Sequence, residues 1–172
     1  MSSLISAVAV VLLLAPQHPS MPKGMSHEEH LKQMEKDEAL KKRGAEAMGF
    51  DQDATTHHFT LAPSGGSIEI TVTNEKDEAV IAAVRSHLRS IAADFARGDF
   101  DRPFQTHGEA PQGVPEMQKS RQEITYRYED LPRGGAVRIN TKDPQALDAV
   151  HAFLRYQITE HKTGDPTTVR TR

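Results

Sequence analysis

The chain of 172 residues contains no cysteine. This absence excludes zinc–thiolate centres, thiol redox chemistry and cysteine nucleophiles, because each of them requires a thiolate. It also excludes disulfide bonds, so the apolar core alone has to hold the domain together. Any metal site has to be built from histidine, methionine and carboxylate side chains.

Several functional signatures are also missing. The net charge is slightly negative and the basic residues are scattered among acids, so nucleic acid is not expected as a partner. The sequence has no GxSxG elbow, HExxH helix, phosphate-binding loop or GxGxxG turn. No organic cofactor is therefore expected, and no pair of carboxylates can be nominated for hydrolysis.

No apolar run in the sequence is long enough to span a bilayer. The longest extends from Leu4 to Ala15, interrupted only by Ser6, whereas a spanning helix needs roughly 20 residues. Its length fits the apolar part of a secretory signal. We therefore expect residues 1–20 to be a signal peptide or an N-terminal anchor, and the protein to be periplasmic or secreted. Contact with a membrane is expected only through an uncleaved N-terminus, and a start codon assigned in the wrong place is the other alternative.

The second half of the chain repeats the first. Lys76 to Asp99 aligns without a gap on Lys142 to Asp165, and a Gly-Gly pair precedes an alternating segment in each copy. Internal self-similarity of this kind predicts two copies of one structural unit. Each copy has two alternating segments, a turn between them and a helical apolar pattern, which indicates a ββα unit.

The repeat predicts the fold class and the organisation of the chain. We expect an α+β domain in which duplicated ββα units form one four-stranded, mainly antiparallel sheet with two helices on one face. The duplicated domain covers 51–165, with repeat 1 at 55–99, a connecting loop at 100–121 and repeat 2 at 122–165. A linker and charged helix at 21–50 precede it, the helix running from about His27 to Met48, and a flexible tail follows at 166–172. The outer face of the sheet is polar, so it can face water, bind a partner or form a homodimer.

Histidine and methionine are the unusual part of the composition, with nine and six residues respectively. One cluster lies near the N-terminus. On a helix, His27, His30 and Met34 would share a face, and imidazole with thioether ligands suits copper. The alternative is a solvated helix that carries histidine by chance. The members of this cluster are Met21, Met25, His27, His30 and Met34.

Within the domain, His57 and His58 begin the first strand. Neighbouring strand residues point to opposite faces, so the two cannot chelate one ion. The alternation sends His57 towards the core and His58 to the polar face, where it is the better ligand or acid–base group. His107 and Met117 lie in the long connecting loop, where functional residues are common. His161 could join a site at the sheet edge, whereas His87 and His151 are expected to be core or boundary residues.

Several short blocks between Phe50 and Pro166 resemble a family of small exported bacterial proteins of unsettled function. The blocks are TTHHFTL, GGSIEI, HLRSIAADFARGDF, HGEAPQGVPEM, GGAVRIN and FLRYQITEHKTGD. Some members of that family carry the label aspartate carbamoyltransferase. A true carbamoyltransferase resembles two nucleotide-fold-sized domains with a Ser-Thr-Arg-Thr phosphate-binding turn. This chain is much shorter and has no such turn, so we regard that label as a propagated error and do not expect the activity.

The leading hypothesis is a periplasmic protein that binds a metal ion of copper type, with zinc as the other ion that suits the ligands. His58 and His107 are the expected ligands, and His57, Met117 and His161 are further contributors. Two alternatives stay open: a module that binds a partner protein or itself through the polar sheet face, and an enzyme that uses His58 or His107 as a general base.

Overall fold

The computed structural model describes residues 24–169. The leader expected at 1–20, Met21 of the N-terminal cluster and the last three residues of the tail lie outside the described residues. The chain divides into two compact units, Met1–Glu35 and Lys36–Arg172. Within the described part of the chain, no helix combines the length and the apolar character needed to cross a membrane.

Helix α1 (His27–Met48) begins at the capping box that the sequence predicts. The Ser26 backbone N–H and hydroxyl donate to the carboxylate of Glu29, and the Glu29 N–H donates back to the Ser26 hydroxyl. These hydrogen bonds hold the pKa of Glu29 below its usual range. In the second half of α1, Leu40 and Gly44 are buried.

Four strands form one antiparallel sheet in the order β1-β2-β4-β3. Every strand is eight residues long, and each hairpin closes with a two-residue connection that begins with proline. The predicted pair of hairpins is therefore confirmed. The strands are β1 (Thr55–Ala62), β2 (Gly65–Val72), β3 (Ile124–Leu131) and β4 (Gly134–Thr141).

The Gly-Gly pairs begin β2 and β4, where the two hairpins meet. A Cβ atom on Gly65 would lie 2.0 Å from the Ile139 carbonyl oxygen, and one on Gly134 would lie 2.0 Å from the Ile70 carbonyl oxygen. No side chain fits at either position, because backbone atoms cannot withdraw without breaking the sheet. The Gly-Gly pairs therefore allow the two hairpins to join edge to edge.

Helices α2 (Glu78–Ala96) and α5 (Pro144–Glu160) cover one face of the sheet. Each begins at an aspartate cap: Asp77 accepts from the Val80 N–H at 3.1 Å and Asp143 from the Ala146 N–H at 2.8 Å. Helix α2 packs mainly on β3 and β4, whereas α5 packs mainly on β1 and β2. Each helix thus covers the hairpin of the other repeat, and the α+β architecture expected from the sequence is confirmed.

The two repeats are equivalent residue by residue. His57 pairs with Ile70 in the first hairpin, and Tyr126 pairs with Ile139 at the matching place in the second. In the helices, the alignment of Lys76 on Lys142 matches Phe95 with His161. The molecule therefore contains two versions of each structural position, and differences between them can be compared directly.

The connection between the repeats contains two short helices, α3 (Asp101–His107) and α4 (Val114–Lys119). The sequence-based expectation of a loop at 100–121 was therefore incomplete. Helices of seven and six residues are too short to show an apolar period. Glycine sets their limits, because Gly108 ends α3 and Gly113 precedes α4, both with positive φ.

The outer face of the sheet carries the polar side chains that the alternation predicts. At its centre, the guanidinium of Arg138 donates to the carboxylates of Glu69 and Glu129. All three side chains are about one-third exposed, so the network faces water. The cavity described below lies on the opposite, helix-covered side.

Candidate functional site

A cavity of about 60 Å³ lies between the sheet and helices α2, α3 and α5. Its walls combine imidazole rings with aliphatic and aromatic side chains. Sixteen residues line it: Met48, His57, Phe59, Ile68, Ile70, His87, Leu88, Ile91, Phe95, Arg102, Pro103, Thr106, His107, Phe153, Gln157 and His161. The volume is enough for a few water molecules or an ion.

Three histidines from distant parts of the sequence form one cluster in this cavity, which we call the imidazole cluster: His57, His107 and His161. The ring of His161 contacts both of the others. Its centroid is 5.6 Å from that of His57, with planes 5° apart, and 5.1 Å from that of His107, with planes 78° apart. His57 comes from β1, His107 from the end of α3 and His161 from the C-terminal cap of α5.

Burial keeps the rings of the imidazole cluster neutral. Desolvation, with a smaller effect of the neighbouring His58, lowers the pKa of His57 to about 4. Desolvation, with smaller effects of His57 and His107, lowers the pKa of His161 to about 3. Burial also lowers the pKa of His107, although a hydrogen bond to Gln157 acts in the opposite direction. At neutral pH each ring therefore has a lone pair on one nitrogen.

Two nitrogen atoms of the cluster are buried without a hydrogen-bond partner, His57 Nε2 and His107 Nδ1. His107 Nε2 lies 3.1 Å from Gln157 Oε1. Since a carboxamide oxygen only accepts, that nitrogen carries the proton and Nδ1 keeps its lone pair. Buried polar atoms without partners are rare in folded proteins and call for an explanation, such as an ion or a water molecule.

A fourth histidine, His87, lines the cavity from α2. Its ring packs edge-on against Phe50, with centroids 5.6 Å apart, and its Nδ1 is buried without a partner. Desolvation and the nearby charge of Arg102 lower its pKa to about 4. The guanidinium of Arg102 donates to Asp94 at 3.1 Å and to the Ala47 carbonyl oxygen at 3.2 Å.

The second repeat shows what the fold requires at these positions. The counterpart of the His57–His161 pair is Tyr126 with Phe95, whose ring centroids are 5.7 Å apart. The counterpart of Gln157, which orients His107, is Ile91. A phenyl and an aliphatic group therefore satisfy the packing at the positions of His161 and Gln157, whereas the position of His57 carries a phenol whose hydroxyl is also buried without a partner. Packing alone therefore does not explain the imidazole of His161 or the carboxamide of Gln157.

His58, expected to be a principal ligand, lies outside the cavity lining. Its side chain is about half exposed, and its Nδ1 is 3.0 Å from the Asp165 carboxylate. Asp165 also accepts from the Phe59 N–H at 3.0 Å and from the Thr163 hydroxyl at 2.7 Å. The strand alternation that turns His57 inwards turns His58 outwards, and Asp165 fixes the end of α5 to the edge of β1.

Met117, the other expected contributor, is completely buried and also lies outside the lining. Helix α4 packs against α5, so the Met117 thioether belongs to the apolar core rather than to an accessible loop. His151 is a core residue as expected. Its Nε2 lies 2.9 and 3.0 Å from the carbonyl oxygens of Ala62 and Gly65, which ties α5 to the first hairpin.

Three members of the N-terminal cluster, His27, His30 and Met34, lie on the first half of α1, and Met25 precedes the helix. His27 and Met34 are exposed, while Met25 and His30 are intermediate. Over residues 24–169, no group of three or more His, Cys, Asp or Glu side chains has the arrangement of a metal site. This holds for the histidines of the N-terminal cluster and for those of the imidazole cluster.

Sequence reasoning missed Met48, Gln157 and the place of His87 in the cavity wall. The repeat alignment contains a usable signal for part of the site. It matches His161 with Phe95 and Gln157 with Ile91, so polar groups replace apolar ones at a buried position of α5 and at its C-terminal cap. Met48 belongs to no repeat and has no such signal.

Comparison of the chain with family models, curated proteins and solved structures gave no significant match.

Proposed function

We propose that this protein binds a transition-metal ion of copper or zinc type through His57, His107 and His161, in the periplasm. The observation that carries the proposal is the convergence of three partly buried, neutral imidazoles, two of them with a buried nitrogen that lacks a partner. Neutral imidazole is the usual nitrogen ligand of both ions. The periplasmic location rests on the apolar run from Leu4 to Ala15.

Ring separation is compatible with this proposal. Two imidazoles that bind one tetrahedral ion through nitrogen at about 2.0–2.1 Å have ring centroids about 5 Å apart. The two centroid distances in the cluster are 5.1 and 5.6 Å. The nitrogen atoms themselves are not arranged as ligands. Metal binding thus requires the rings to turn about their Cβ–Cγ bonds, and the broad torsional preference of histidine favours this.

The hydrogen bond between Gln157 and His107 supports the same function. Histidine ligands usually donate from the non-coordinating nitrogen to an acceptor, which fixes the tautomer and aims the lone pair. Gln157 Oε1 has this relation to His107 Nε2. Because the matching position in the other repeat is Ile91, the fold does not need a carboxamide there.

Acid–base catalysis is a weaker explanation of the cavity. A general base works best with a pKa near the working pH, whereas those of His57 and His161 are about 4 and about 3. His58 has a carboxylate to orient it, but it lies on the open, half-exposed side of β1. Burial lowers the pKa of all three cavity imidazoles, including His107, and His58 lies outside the cavity.

Metal titration of the purified protein tests the proposal. The protein, stripped with a chelator, is titrated with Zn(II), Cu(II) and, without oxygen, Cu(I), by calorimetry or by competition with chromogenic chelators. We expect one ion per chain with micromolar or tighter affinity for at least one of the three metals. His161→Phe and His57→Tyr introduce the residues of the matching positions in the other repeat, so they should fold and lose this binding.

His58→Gln is the matched control, because it removes an imidazole that does not line the cavity. Its affinity should equal that of the wild-type protein within about two-fold. If the wild-type protein binds none of the three ions more tightly than millimolar, the proposed function is wrong. If His58→Gln loses binding while His161→Phe retains it, the ion is held on the outer side of β1 and the assignment to the cavity is wrong.

A further inference from the structure

The thioether of Met48 gives the cavity a second kind of metal ligand. Met48 is the last residue of α1, is partly buried against the core, and lines the same cavity as the imidazole cluster. The end of the Met48 side chain lies against Gly44, one turn earlier in α1. A Cβ atom added to Gly44 would lie 3.3 Å from Met48 Cε. Thioether sulfur is a soft ligand that favours Cu(I), whereas zinc sites in proteins use nitrogen, oxygen and thiolate.

The charge of the cavity wall also distinguishes between ions. No carboxylate lines the cavity among the described residues, and its single charged lining residue is the cation Arg102. The acids Glu109 and Glu160 act on His107 from outside the lining, so an ion in this site has no carboxylate in direct contact within a largely apolar wall. The cost of moving an ion out of water grows with the square of its charge, so a dication costs about four times as much as a monocation.

These two observations, together with the proposed function on which they rest, point to one ion. We infer that the cavity selects monovalent copper, Cu(I), over Zn(II) and Cu(II), and that Met48 is a direct thioether ligand beside the three imidazoles. The neutral ligands and the lack of carboxylates in the lining favour an ion of low charge. The thioether sulfur favours a soft ion.

Competition with chelators, carried out without oxygen, tests this inference. The affinity of the full chain for Cu(I) is measured against bicinchoninate and that for Zn(II) against a chromogenic zinc chelator. We expect Cu(I) to bind at least about ten-fold more tightly than Zn(II). Met48→Leu keeps the size of the side chain but removes the sulfur. It should weaken Cu(I) binding by at least about ten-fold, since even outer-shell partners of a metal site contribute about 10–100-fold.

Met117→Leu is the matched control, because it makes the same change at a thioether that is buried in the apolar core outside the cavity lining. Its Cu(I) affinity should not change. X-ray absorption of the copper-loaded wild-type protein gives a second measurement, which does not depend on how well a variant folds. It should show one sulfur neighbour of copper together with nitrogen neighbours, and the sulfur signal should disappear in Met48→Leu.

The failure of this inference can be told apart from failure of the proposed function. If Zn(II) binds as tightly as Cu(I), or if copper has no sulfur neighbour, the inference is wrong. The proposed function survives that result provided that His161→Phe still loses the metal. If no metal binds to the wild-type protein at all, the proposed function fails and the inference fails with it.

Discussion

The imidazole ring of His161 stacks on that of His57, with centroids 5.6 Å apart and planes 5° from parallel. The other repeat places Phe95 against Tyr126 at the same position, with centroids 5.7 Å apart. One duplicated fold thus carries an aromatic pair in one half and an imidazole pair in the other. The comparison separates what the fold needs from what the site adds.

Replacing His161 by phenylalanine should stabilise the metal-free protein. Among the described residues the His161 ring makes no hydrogen bond and loses solvation through burial, whereas phenylalanine has no polar atom to satisfy. We expect the free energy of unfolding at pH 7 to rise by about 1 kcal/mol in urea denaturation with a chelator present. Phe95→His is the reciprocal control and should lower it, because it buries an imidazole where the fold has a phenyl ring. A loss of stability in His161→Phe would contradict this account.

Stability should fall as the pH is lowered from about 6.5 to about 4, in part because of His87. Its pKa is about 4 in the folded protein, chiefly through burial, against about 6.5 when unfolded. Between these values the unfolded chain binds the extra proton, so acid favours unfolding. The lowered pKa of His87 costs no stability above about pH 6.5. Below about pH 4 it reduces the free energy of unfolding by at most about 3 kcal/mol.

His87→Phe tests the pH dependence, because phenylalanine is the residue at the matching position, Phe153. Urea midpoints are measured at pH 7.5, 6.0, 5.0 and 4.0 with a chelator present. The variant should show a shallower loss of stability with acid than the wild-type protein does. Identical slopes for the two proteins would mean that His87 titrates at its ordinary pKa and is not desolvated.

Gln157→Ile should weaken metal binding without removing a ligand. The variant introduces the residue of the matching position, Ile91, and removes the acceptor that faces His107 Nε2 at 3.1 Å. We expect the affinity to fall by about 10–100-fold, the usual effect of losing an outer partner of a histidine ligand. Chelator competition measures the change. Gln118→Leu is the control, because it removes a carboxamide that donates to the Gly98 carbonyl oxygen and does not line the cavity. It should leave the affinity unchanged.

Gly113→Ala should destabilise the protein by about 2 kcal/mol or more. Gly113 has φ of +85°, and a Cβ atom there would lie 2.2 Å from the Ala149 carbonyl oxygen of α5. Backbone strain and steric overlap with α5 therefore both contribute to the loss of stability. Gly164→Ala is the control, because Gly164 has φ of +75° with nothing within 4 Å of a Cβ. It should cost only the backbone strain, about 1 kcal/mol, and equal losses in the two variants would show that the overlap relaxes freely.

The sequence by itself determined the architecture of the domain. The repeated Lys-Asp to Gly-Asp segments and the Gly-Gly pairs predicted two ββα units, and the alternation of THHFTL predicted that His57 points inwards and His58 outwards. These features are local: strand period, helix period and turn chemistry act within a few residues, so they can be identified from the sequence. The export of the chain and the role of its N-terminal cluster remain predictions from the sequence.

Only the tertiary structure decided which histidines meet. Helix α5 packs on the hairpin of the other repeat, which brings His161 at its C-terminal end over His57 on β1. Helix α3, too short to be seen in the sequence pattern, brings His107 to the same cavity, and the end of α1 brings Met48. No periodicity encodes these contacts, because they depend on how separate elements pack together. The same packing buries Met117 in the core and leaves His58 bound to Asp165 on the outer side.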